Sequence, residues 1–152
     1  MTRNNAAPRD EAEDGQVMVL IIGFVLIALL LITVVAASAS LYIGHKKLLS
    51  LADGAALAAA DTFVLSGGSA SGPPGTLLTS QGVNAAAAQY LAESTIPEGL
   101  DAVSLGAGTG TGDGRTAQVS VTGVVHPMFI NFLVPAGIPL TVTGTARANL
   151  AQ

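Results

Sequence analysis

Residues 15–44 read GQVMVLIIGFVLIALLLITVVAASASLYIG, thirty positions without Asp, Glu, Lys, Arg or His. At about 1.5 Å of rise per residue they make a helix of about 45 Å, against a bilayer hydrocarbon core of about 30 Å, so one complete crossing fits with residues to spare. Within Val17 to Ala36, fifteen residues are Leu, Ile, Val or Phe. At about 0.3–0.6 kcal/mol each near the bilayer centre, they favour insertion by at most roughly 5–9 kcal/mol, with no charge to oppose them. A core helix of a water-soluble protein is the competing reading. It fails because so long an apolar cylinder needs more chain around it than this sequence supplies. Ala37-Ser38-Ala39 resembles a signal-peptidase site. However, the apolar run exceeds the about 7–15 residues of a signal peptide, and Asp10, Glu11, Glu13 and Asp14 precede it where a signal would be basic. Lysines and arginines do not set the orientation, since Arg3 and Arg9 lie before the run and Lys46 and Lys47 after it.

Composition narrows the chemistry. Half of the 152 residues are hydrophobic and 11% are charged, under half of the usual fraction of about 25%. The net charge is −4 and the six Lys and Arg are dispersed. No basic patch for nucleic acid results. With no Cys and two His, thiolate metal sites, disulfides and cysteine nucleophiles are excluded. His45, between the apolar run and two lysines, reads as an interfacial anchor. His126 precedes Pro127 at a strand end, with no carboxylate near it in sequence. Ser38, Ser40 and Ser50 lack a nucleophile-elbow setting. No catalytic, cofactor-binding or metal-binding residue is assigned.

Helical character continues past the span. Leu48, Leu51, Ala52, Ala55, Ala59 and Phe63 recur at three- and four-residue spacing, without proline. Gly54 weakens this extension by about 1 kcal/mol relative to Ala, and the surrounding alanines offset it. Ser66 to Thr76, SGGSASGPPGT, reads as loop or linker. Gln81 to Ser94 sets Val83, Ala86, Ala87, Tyr90 and Leu91 on one helical face. Three extended runs follow: a weak one at Ala102 to Leu105, then Thr116 to Val125 and Leu140 to Ala148, the last two alternating apolar with polar. Gly106 to Gly114, GAGTGTGDG, lacks the Lys-Ser/Thr ending of a phosphate loop and leads into a strand, so it reads as a hairpin loop.

These segments predict an α+β chain. A tail at 1–14 precedes a transmembrane helix at 15–44 and its juxtamembrane extension at 45–63; a linker at 64–79 leads to a small domain at 80–152, with one short helix and a three-stranded antiparallel sheet. The sheet needs a covering layer, which predicts that the projecting helix packs on its own domain or a neighbour's. Two sets of residues are candidates for contact with partners. Ala36, Ser40, Gly44, Ala52, Ala56 and Ala60 form a stripe of small residues along which another helix can approach. Met128, Phe129, Phe132 and Leu133 form an apolar turn that plugs the core or docks on a partner.

Asp14-Gly15-Gln16 running into the apolar stretch, Leu41-Tyr42, the basic pair Lys46-Lys47, and Leu51 to Ala60, LADGAALAAA, together resemble the N-terminal region of TadG-like proteins. These are accessory proteins of the tight-adherence (Tad/Flp) type IVb pilus assembly system, related in organisation to TadE. The valine-rich strand ending in His126-Pro127, the apolar turn and the final Thr/Val/Ala strand are similar too. The resemblance implies a small TadG-related, single-pass protein of the cytoplasmic membrane, with its N-terminus in the cytoplasm and a pilin-like domain outside. It further implies a non-enzymatic role in pilus assembly or secretion, with other Tad/Flp proteins, pilin or TadE-like subunits as partners, or a homo-oligomer through the helix. One alternative is a pseudopilin cleaved between Gly15 and Gln16 that enters the filament; the position five residues after Gly15 holds Leu20, where prepilin-like relatives have Glu. Another is a surface-binding module on a single anchor.

Overall fold

The computed structural model describes residues 10–66, 75–127 and 134–147. One helix, α1 (Asp10–Ala60), carries both the apolar run and its extension without interruption, over about 76 Å at 1.5 Å per residue. It closes where Thr62 donates its hydroxyl to the Ala59 carbonyl at 2.7 Å, satisfying one of the acceptors that a helix end leaves open.

After α1 come β1 (Val64–Ser66), β2 (Gly75–Leu77), α2 (Ser80–Glu93), β3 (Leu100–Leu105), β4 (Thr116–Val125) and β5 (Ile138–Arg147). β1 and β2 pair antiparallel, Leu65 opposite Thr76, so two short strands stand within the stretch that its composition marks as linker. The centre of that linker, 67–74, lies outside the described residues. Thr79 caps α2, accepting a bond from the Gly82 amide at 3.1 Å.

β3, β4 and β5 form the antiparallel sheet in chain order. β4 and β5 stay in register over ten pairs, from Thr116 opposite Arg147 to Val125 opposite Ile138. β3 slips once: Asp101 faces Val124, yet Ser104 faces Thr122, so β3 holds one residue more than its partner. The extra residue sits beside Ala102, whose φ of 51° is in the left-handed region that L-residues other than Asn and Asp seldom visit. The bulge changes parity, so that Leu100 is buried before it and Val103 and Leu105 pack on the core after it.

The core lies between this sheet and the C-terminal half of α1. Leu48, Leu51, Ala52, Ala55, Ala56 and Ala59 of α1 are buried with Ala117, Val119, Val121 and Val125 of β4, Val142 of β5, and Val83 and Ala87 of α2. The extension therefore covers its own sheet. Small residues set the closeness of that packing. A Cβ on Gly144 would lie 2.5 Å from the Ala52 carbonyl carbon, and one on Gly44 would lie 2.6 Å from Val125 Cγ2. The opposite face of the sheet is polar, with Ser104 and Thr122 hydroxyls 3.0 Å apart across β3 and β4.

Candidate functional site

From Gly15 to Val35, α1 meets nothing among the described residues. Every large apolar side chain from Val17 through Val35 is 48–74% exposed, which in water would be a severe cost and in a bilayer is the required condition. Two hydroxyl groups here are satisfied within the helix: Thr33 donates to the Leu29 carbonyl and Ser38 to that of Val34, both at 2.8 Å. Lipid offers no other acceptor at that depth, so this local pairing suits the site. Gly15 sits on the same helix with open space around it.

Where the bare half ends, α1 passes directly into the domain. Ser40, Ile43, Gly44 and Lys47 line one side of a cleft of about 490 Å³, and Glu98, Gly99, Val125 and His126 line the other. Lys47 donates from Nζ to the Glu98 carbonyl at 2.8 Å, tying the turn after α2 to the helix. The Lys46 ammonium stands 5.7 Å from the centre of the Tyr42 ring, a cation–π contact at the end of the apolar run. His45 is exposed beside them. His126 Nε2 lies 3.3 Å from Asp101 Oδ2. Twenty-five residues separate that pair in the chain, so the carboxylate absent from the sequence neighbourhood of His126 is supplied by the β3–β4 pairing. Asp101 is 73% exposed, and an ion pair so open to water contributes little.

The small-residue stripe divides between two roles. Gly44, Ala52, Ala56 and Ala60 are buried inside the chain's own fold, against the sheet and α2. Ala36 and Ser40 continue the stripe beneath the domain, and both are half-buried. Met128, Phe129, Phe132 and Leu133 lie outside the described residues. Among the described residues no group of three His, Asp or Glu side chains could hold a metal ion.

The glycine-rich loop between β3 and β4 folds back onto its own hairpin. Gly110 bridges to Gln118, and the Thr109 hydroxyl accepts from the amide of buried Ser120 at 3.1 Å. Asp113 accepts from the amides of Arg115 at 2.9 Å and Thr116 at 2.7 Å, and from the Thr116 hydroxyl at 2.9 Å. The Arg115 and Thr116 amides, and then the Thr116 hydroxyl, hold its carboxyl at about 2, below the ordinary 3.8. The turn thus supplies its own anion to donors that a phosphate would need.

An apolar helix bare over its first half and fused over its second to a small α+β domain defines a class: a domain carried on one membrane-anchor-like helix. Comparison with family models finds a match over part of the chain. Residues 15–62 match the Tad model, "Putative Flp pilus-assembly TadE/G-like". That segment, about a third of the chain, takes in the apolar run and the buried extension alike and is similar to TadE/G-like Flp pilus-assembly proteins. Curated proteins gave no match. Solved structures gave none either.

Proposed function

We propose that this chain is a membrane-anchored, non-enzymatic component of Tad/Flp pilus assembly or secretion, with its N-terminus in the cytoplasm and its domain outside the cell membrane. The continuity of α1 carries the reading. One rod bears the apolar run, then forms part of the domain's core, so a force or a neighbour acting on the helix within the bilayer acts on the domain without a flexible joint. The TadE/G match covers both parts of this rod. Partners are recruited by helix packing along Ala36 and Ser40, whose small side chains admit a second helix, and by protein contacts of the outer domain. Such partners are other Tad/Flp assembly proteins, pilin or TadE-like subunits, or a second copy of the chain.

The test replaces Ala36 by Leu in cells that assemble filaments, leaving Ser40, which also lines the cleft against the domain, unchanged. Substituting Gly44 or Ala52 instead would disturb the chain's own core and confuse folding with assembly. The expected result is loss of crosslinks to partner proteins and of filaments, while the outer domain keeps its resistance to protease. Unchanged crosslinking and filaments would remove helix packing from the proposal. Protease digestion of the domain in intact cells checks orientation, and a mature terminus at Gln16 would point to the pseudopilin alternative.

A further inference from the structure

We infer that the end of the outer domain next to the apolar run rests in the headgroup layer of the bilayer, so that this end is a binding surface for zwitterionic phospholipid. The inference rests on the membrane-anchor reading above. With Val17 to Ala36 filling about 30 Å of hydrocarbon, the headgroup zone adds about 5–7 Å, which brings α1 to about residue 40. No spacer follows. Ser40 already lines the cleft against the domain, Gly44 abuts Val125, and Lys47 holds the Glu98 carbonyl. From residue 40 to 47 the axis rises only about 10 Å, so the domain has no length of helix on which to stand clear of the lipid.

The other described residues of that end are tied to the same level. The His126 amide donates to the Gly99 carbonyl at 3.4 Å, Val125 pairs with Ile138, and the Gly137 amide closes a turn on the Val134 carbonyl at 3.0 Å. Its chemistry suits an interface. Tyr42 and Ile43 are 62% and 53% exposed, and the Lys46 ammonium lies over the Tyr42 ring, an aromatic and cationic pairing of the kind found at membrane boundaries. Lys47 and His126 line the cleft at this end and Asp101 meets His126, so a cation and an anion suited to a zwitterionic headgroup are present without the Glu98 carboxylate. The far end of the domain carries Asp113 and Arg115, and by the length of α1 from Gly44 to Ala60 it lies about 24 Å further out.

The chain has no cysteine, so the full-length protein accepts single labels. Leu26→Cys, Glu98→Cys, Ala136→Cys and Gly112→Cys each take a bimane fluorophore; Glu98 serves because Lys47 uses its backbone carbonyl, not its carboxylate. The labelled chains are placed in phosphatidylcholine vesicles containing a lipid spin-labelled on the headgroup or, separately, on the acyl chain. The expected result is quenching at 26 by the acyl-chain label, and quenching at 98 and 136 by the headgroup label several-fold stronger than at 112. Quenching at 26, with 98 and 136 no more quenched than 112, overturns the inference and leaves the anchor in place. Absence of quenching at 26 defeats both. Absence of quenching at 98 and 136, together with disulfide crosslinking between copies when the same Cys chains are left unlabelled and oxidised, would assign this end to protein contact and also overturn it.

Discussion

Replacing Gly144 with alanine should loosen the outer domain by about 2 kcal/mol, and the value follows from where a single methyl group would go. A Cβ there comes 2.5 Å from both the carbonyl carbon and oxygen of Ala52 and 2.7 Å from the amide nitrogen of Asp53. All three atoms are α1 backbone, which cannot rotate aside as a side chain end can. The helix must retreat from β5 by about 1 Å, and a gap of that size forfeits about a quarter to a half of the dispersion attraction across it. Overpacking costs about 1–3 kcal/mol in general, and a backbone obstacle takes the upper end. Alanine returns about 0.5–1 kcal/mol by restricting the unfolded chain, leaving about 2. Native-state hydrogen exchange of the Val119 and Val142 amides, measured on the whole chain in micelles, should then speed up about 30-fold, since 1.4 kcal/mol is a factor of ten. Gly112→Ala is the control, because nothing lies within 4 Å of its Cβ position; its effect should stay within about 0.5 kcal/mol. If Gly144→Ala exchanges no faster than Gly112→Ala, the close docking of α1 on β5 is wrong.

Two further outcomes test the same packing and the loop beside it. Gly54 faces the Tyr90 hydroxyl of α2, so Gly54→Ala should destabilise by about 1 kcal/mol with Tyr90 present, yet stabilise by up to about 1 kcal/mol in a Tyr90→Leu background, where helix propensity acts alone. A denaturation cycle that adds to within about 0.5 kcal/mol would disprove the contact. Asp113 has a folded pKa below its unfolded one, so its contribution is complete above about pH 5 and is lost as pH falls through about 3.8 to about 2. Amide exchange at Arg115 and Thr116 should rise, relative to its intrinsic acid dependence, through that window and nowhere above it. An Asp113→Ala chain should lack this step.

Local periodicity sufficed for elements whose environment is uniform along their length. β4 alternates apolar with polar from Thr116 to Thr122 because Ala117, Val119 and Val121 share the buried face, and the sequence expectation of Thr116 to Val125 coincides with the strand. β3 reads as weak because its bulge at Ala102 breaks the alternation that would reveal it, and its first two residues then fall outside the pattern. The paired strands flanking 67–74 have too few residues for any period to register. The proximity of Asp101 to His126 depends on strand pairing, which no spacing in the chain encodes.

The amino-acid order alone thus determined that a long uncharged helix leads, that it continues beyond the bilayer's width, and that a small antiparallel sheet follows. Each of these is a matter of counting apolar positions against a fixed rise per residue. Only the tertiary structure decided what the small residues of α1 are for. Gly44, Ala52, Ala56 and Ala60 go to the chain's own core, with Gly144 allowing β5 to touch the helix backbone, while Ala36 and Ser40 stay beneath the domain. A stripe of small side chains records that something approaches closely. Which surface does so depends on where the rest of the chain folds.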